Sequence, residues 1–107
     1  IGTGIPFADR VNVDYFTQLK NISKSTAGIR RLGAASLDLA YVSSGKIDGF
    51  WEKDLNLWDV SAGVLLLKEA GGRVTDLNGK NWTNESRDIL ASNTLIHDKL
   101  IKNLTLL

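Results

Sequence analysis

The chain reads as an α/β protein, a mostly parallel or mixed sheet of five strands flanked by helices. Three observations predict it. Apolar runs of strand length alternate with runs of helical period from one end to the other, as strand–crossover–strand units do. The connections between them are short. No linker, internal repeat or low-complexity stretch divides the 107 residues, which suffice for one domain.

The opening "IGTGIPF" is a strand running into a loop at Pro6. Asp9 then caps a helix over about Arg10 to Ser23, with Val11, Tyr15, Leu19 and Ile22 on one stripe. "AGIRRLG", with a glycine near each end, is the second strand. "GAASLDLAYVSSGK" is a small-residue helix with few charges that ends near Gly45, and it is expected to be buried. "IDGFWE" is the third strand, and "WDVSAGVLLLKEAGG" a helix with a glycine stop. "RVTD" is the fourth strand, Asn78-Gly79 marks a turn, and "DILASN" is the fifth. "NTLIHDKLIKNL" is an amphipathic terminal helix capped at Asn93 or Thr94. The chain lacks an initiator Met and starts abruptly on a strand, which reads as a C-terminal portion with an N-terminal part missing.

Bulk properties narrow the function. With 13 Lys and Arg against 12 Asp and Glu, no charge excess points to a nucleic-acid or polyanion surface. The absence of Cys excludes disulfides, thiolate metal sites and a catalytic thiol. No apolar run approaches the roughly 20 residues that cross a bilayer, and a cytoplasmic location is the expectation. His97, the single histidine, lies beside Asp98 and Lys99 on the terminal helix and reads as a surface residue. Without Cys, a well-placed His or a serine elbow, nucleophile–histidine hydrolysis has little support, and metal-assisted hydrolysis is the class left standing.

The acids before "WDVSAGVLLL" are the focus. Asp59 is either an ordinary helix cap, stabilised by free N–H groups and the helix dipole, or a rigid hard-oxygen ligand for Mg²⁺. Trp58 beside it reads as a packing anchor at the helix entry. Glu52 ends a strand, where α/β sheets bind ligands, although a solvated strand-end acid is the plainer alternative. Lys53 and Asp54 read as surface charges. At "RRLGAAS" a glycine and small residues at a strand-to-helix junction permit close backbone approach to a ligand. Arg30 and Arg31 suit a phosphate, a partner chain or simply solvent. "GTG" at Gly2 to Gly4 is no dinucleotide fingerprint, because no helix opens there.

Together "LNLWDVSAGVLLLKEAGGRVTD", "GIRRLGAASLDLAYVSSGKIDGFWE" and "IGTGIPF" strongly resemble the C-terminal part of the inositol monophosphatase family in its bacterial form, from about Ile1 to Leu104. The resemblance implies the C-terminal half of that family's αβαβα fold and Mg²⁺-dependent hydrolysis of small phosphate monoesters, typically inositol monophosphates, with lithium inhibition. It implies a metal-ligating Asp59 that also faces the substrate hydroxyl, a Glu52 that binds an inositol hydroxyl, and a sugar-pocket backbone at Gly33, Ala34 and Ala35. It also implies a homodimer. Bacterial members are linked to transcription and ribosomal RNA synthesis, so a transcription-machinery protein is an alternative partner. Related families act on fructose bisphosphate, 3′-phosphoadenosine phosphates or histidinol phosphate.

The family's first signature, an Asp-Pro-Ile-Asp-Gly-Thr run, and its upstream metal-binding glutamate do not occur in this sequence. Residues 1–107 are therefore expected to form a C-terminal domain without the N-terminal metal-binding domain, with no catalytic residue of its own and no activity alone.

Overall fold

Alternating apolar residues in the strands and apolar stripes on the helices assemble three layers, helix–sheet–helix. The computed structural model describes residues 1–5 and 13–105. The elements are β1 (Gly2–Thr3), α1 (Val13–Ser25), α2 (Ala35–Ser43), β2 (Gly49–Glu52), α3 (Leu57–Glu69), β3 (Arg73–Thr75), β4 (Ile89–Ser92) and α4 (His97–Leu104). The helix cap expected at Asp9 and the stripe position Val11 lie outside the described residues.

Strand periodicity builds two cores. In β2, Phe50 faces one side and Trp51 the other; in β4, Ile89 and Ala91 oppose Leu90. Phe50, Ile89 and Ala91 pack with Leu39 and Val42 of α2 and with Val60, Val64 and Leu67 of α3. Trp51 and Leu90 pack with Tyr15 and Ile22 of α1 and with Leu100 and Leu104 of α4. The Trp51 indole stacks on Tyr15 with ring centroids 6.0 Å apart.

The α/β class holds and the sheet is of the mixed kind, with one strand fewer than expected among the described residues. Among the described residues four strands lie in the order β1-β2-β4-β3, with β1 parallel to β2 and the other two pairs antiparallel, so the sheet is mixed. The reason is the β3–β4 connection. It holds the Asp76–Gly79 turn and no helix, so β4 returns antiparallel rather than crossing over. The strand expected at "AGIRRLG" reduces to one parallel bridge, in which Thr3 N–H donates to the Arg30 carbonyl (3.0 Å) and Arg30 N–H to the Ile1 carbonyl (2.9 Å). Gly33, at φ 86°, turns the chain into α2 before a longer ladder can form.

The glycine stops do as expected. After α3, Gly72 N–H donates to the Leu67 carbonyl (2.9 Å) and Gly71 N–H to Lys68 (3.1 Å), with Gly71 at φ 84°. The same double closure ends α2 at Gly45 and Lys46, onto the Val42 and Tyr41 carbonyls. The α4 start differs from expectation. Asn93 and Thr94 do not cap it, because the Asn93 side chain accepts from Leu95 N–H (3.1 Å) and Thr94 sits at φ 76°, so the helix opens only at His97.

His97 is not a surface residue. It is 0% exposed and bridges two strands, one ring nitrogen 2.6 Å from Ser92 Oγ and the other 2.8 Å from Thr75 Oγ1. Its charged neighbours in sequence point outward, and Asp98 pairs with Arg73 at 2.9 Å. Burial holds the imidazole down at about 4, with Arg73 acting in the same direction and Asp98 against it. Trp58 also departs from expectation. It is 80% exposed and anchors no packing among the described residues. With Leu57, Leu65 and Leu66 of α3 and Leu37 of α2 it leaves apolar side chains in solvent on the helical layer. Among the described residues, no helix is long and apolar enough to cross a membrane.

Candidate functional site

The parallel pair β1–β2 ends where α2 and α3 begin, so two strand carboxyl ends and two helix N-termini converge. Between them lies a cavity of about 510 Å³. Free N–H groups and the positive dipole ends of two helices bias such a space toward anions. The five residues to which the resemblance gives a site role, Gly33, Ala34, Ala35, Glu52 and Asp59, all line it.

Asp59 arrives there by helix phase. The α3 N-cap is Asn56, so Asp59 is the third residue of the helix rather than its cap. Its side chain makes no hydrogen bond or ion pair among the described residues and is exposed, leaving the carboxylate oxygens available. The capping alternative is thereby set aside, although the acid still lies in the favourable first turn.

Glu52 ends β2 in register with Ile89 of β4, half-buried at the cavity edge. Burial pushes its carboxyl up to about 7; Asp38 and Asp59 reinforce the shift and Arg31 opposes it. Asp38 lies beneath, on the sheet side of α2, 1% exposed, with Oδ1 lacking a hydrogen-bond partner. Burial raises that carboxyl as well, to about 7.

Gly33 contributes conformation rather than space. Its φ of 86° favours glycine, while a Cβ there would meet nothing within 4 Å. The backbone of residues 33–35 therefore borders the cavity with little side chain above it. Of the two arginines the structure brings only Arg31 to the cavity. Arg30 is exposed and donates to its neighbour Ile29's carbonyl at 3.0 Å.

Sequence reasoning missed several lining residues. Lys53 and Asp54 border the cavity rather than lying apart on the surface, as do Gly4, Ile5, Ser36, Leu55 and Asn56. Asp54 adopts φ 57°, an uncommon backbone for a non-glycine residue, and no local sequence signal announces it.

As a metal site the donor set is partial. Asp59 offers hard oxygen, but among the described residues no three acid, His or Cys side chains cluster to hold an ion. Mg²⁺ is content with one or two protein carboxylates plus water and phosphate oxygens, so the residues fit an ion held partly by this chain.

Comparison with known proteins places the chain among relatives of one family. Residues 7–106 match the model of the inositol monophosphatase family. An inositol-1-monophosphatase of Caulobacter vibrioides is 43% identical over 97% of this chain and 41% of its own length. The Nus factor SuhB of Pseudomonas aeruginosa is 50% identical over 88% of the chain and 36% of its own. The crystal structure of the extragenic suppressor protein suhB of Bartonella henselae superposes with a TM-score of 0.90 at 44% identity, over 97% of this chain and 40% of that one. The chain thus spans about two fifths of the length of the relatives it matches.

Proposed function

The chain belongs to the inositol monophosphatase family, and from that premise we propose that the whole protein hydrolyses small phosphate monoesters, inositol monophosphate foremost, with Mg²⁺. One observation carries the reading: Gly33, Ala34, Ala35, Glu52 and Asp59 converge on a single cavity at two helix N-termini.

In this reading each residue has a task set by its chemistry. Asp59 is an oxygen ligand for the ion, which when bound supplies Lewis-acid stabilisation of phosphoryl charge. The N-termini of α2 and α3 favour the anionic phosphate. Glu52 hydrogen-bonds a ring hydroxyl, and its half-buried carboxyl makes that bond stronger than it would be in open water. The backbone at 33–35 lies against the ring. Activation of the attacking water, and further metal ligands, fall to residues outside this chain.

Two assays test the reading. The whole protein releases phosphate from inositol 1-phosphate in Mg²⁺, and Glu52→Gln raises KM for that substrate by about 10-fold, the scale of one lost charged hydrogen bond. The 107-residue chain alone releases phosphate at least about 1000-fold more slowly, because one carboxylate cannot serve both the attacking and leaving oxygens. Turnover by the chain alone at the whole protein's rate overturns this division of labour. An unchanged KM in Glu52→Gln points instead to a different sugar or nucleotide phosphate.

A second reading is favoured by the relatives bearing the name Nus factor, with identities of 48–50%. In it the protein also serves as a partner of the transcription machinery, with phosphatase activity dispensable to that role. Exposed Arg30 is suited to such a contact or to a homodimer interface.

A further inference from the structure

Gly2-Thr3-Gly4 fits no cofactor fingerprint, and the structure gives its glycines another use. Neither has a positive φ, so backbone conformation does not demand glycine at either position. Space does. The two alternate with Thr3, whose hydroxyl lies 3.1 Å from the Tyr15 hydroxyl, and so present the same side of the strand. On that side a Cβ at Gly2 would overlap the Asp38 carboxylate of α2. A Cβ at Gly4 would overlap the Glu52 carboxylate of β2, coming within 2.5 Å of Cδ and 3.1 Å of Cγ.

The two overlaps resolve differently. Asp38 is 1% exposed and Ile47 Cδ1 also stands 3.0 Å from the would-be Gly2 methyl, so nothing there has room to retreat. Glu52 borders an open cavity with Gly4 beside it, and its three clashing atoms all belong to the flexible side chain. A methyl at position 4 therefore moves the carboxylate, while a methyl at position 2 strains the fold.

We propose that Gly4 is a specificity-determining positioning residue: its bare backbone is the seat from which the Glu52 carboxylate faces the cavity, so recognition of the polyol ring depends on position 4 having no side chain. This rests on the reading of Glu52 as the ring-hydroxyl contact. Gly4 touches no reacting atom and acts through Glu52.

The test uses the whole protein and two substrates, inositol 1-phosphate and p-nitrophenyl phosphate, whose ring carries no hydroxyl. Gly4→Ala raises KM for inositol 1-phosphate by about 10-fold, and the ratio of kcat/KM for inositol 1-phosphate to that for p-nitrophenyl phosphate falls by about 10-fold. Added to Glu52→Ala, which removes both the overlap and the contact, Gly4→Ala changes KM no further. Gly2→Ala lowers the melting temperature without raising KM. An unchanged KM in Gly4→Ala, an effect that simply adds to that of Glu52→Ala, or an equal KM rise in Gly2→Ala each overturns the proposal. If Glu52→Ala alone leaves KM unchanged, it is the polyol reading of Glu52 that fails, and specificity at position 4 fails with it. Melting curves decide the seat itself, including for a variant too unstable to assay. Gly4→Ala lowers the melting temperature less than Gly2→Ala does, and an equal drop in the two disproves the seat.

Discussion

Replacing Asp59 by Asn in the whole protein is expected to lower phosphate release from inositol 1-phosphate at saturating Mg²⁺ by at least about 1000-fold, some 4 kcal/mol of transition-state stabilisation. Asn keeps the shape and one carbonyl oxygen but removes the charge that a hard divalent cation requires. The fold gives no reason for a broader loss. Asp59 is exposed, makes no hydrogen bond or ion pair among the described residues and is not the α3 cap. The substitution forfeits only a first-turn dipole interaction of less than about 1 kcal/mol. Phosphate release, Mn²⁺ titration and circular dichroism on the same sample separate the effects. Activity within about 10-fold of the parent, or unweakened Mn²⁺ binding, removes Asp59 from the metal site. The same folded variant also divides the two functional readings. Capture of RNA polymerase components that survives Asp59→Asn supports a partner role independent of catalysis.

His97→Ala is expected to cost the whole protein about 3–5 kcal/mol in urea denaturation, the scale of a large-to-small core substitution combined with unpaired buried hydroxyls. The imidazole fills a fully buried site between β3, β4 and α4, and its loss leaves the Thr75 and Ser92 hydroxyls short of a partner. A loss below about 1 kcal/mol shows that the bridge is dispensable. The same residue sets a pH dependence. Held at about 4 in the fold against about 6.5 in the unfolded chain, His97 contributes stability that is complete above pH 6.5. That contribution is lost as pH falls through 6.5 toward 4, by up to about 3 kcal/mol. Asp38 and Glu52, both raised to about 7, act the other way: the folded state takes up their protons first and gains relative stability as pH falls from 7 toward 4. His97→Gln isolates the histidine, since an amide has a donor and an acceptor for the two hydroxyls but does not titrate in this range. Between pH 6.5 and 4 the parent should lose stability relative to His97→Gln, and parallel curves would disprove the linkage.

Much of the fold was legible because local rules and tertiary packing agree. The glycine stops after α2 and α3 are fixed by backbone geometry, and both close as the sequence implies. The alternation of Phe50 with Trp51, and of Leu90 with its neighbours, assigns opposite faces of the sheet without reference to any other element. Where the reading fell short, a distant partner decided. "AGIRRLG" has strand composition but finds only one bridge before Gly33 turns the chain. At the start of α4 a local turn decides instead: Asn93 accepts from Leu95 N–H and Thr94 sits at φ 76°.

The candidate site divides along the same line. Glu52, Asp59 and the Gly33–Ala35 segment stood out because residue type, spacing and strand or helix ends are properties of a linear chain. That they share one cavity with Arg31, Lys53 and Asp54 is a property of the mixed sheet, which brings β1, β2 and two helix starts together. His97 shows the limit most clearly. Flanked by Asp98 and Lys99 it looks solvated, yet helical phase turns those charges outward and the imidazole into the core. Residue pattern alone sufficed for the α/β class, most element boundaries and the acids at stake. Which side chains share a space emerges only on folding, since overlap at Gly4 or a bridge through His97 depends on strands that lie far apart in the chain.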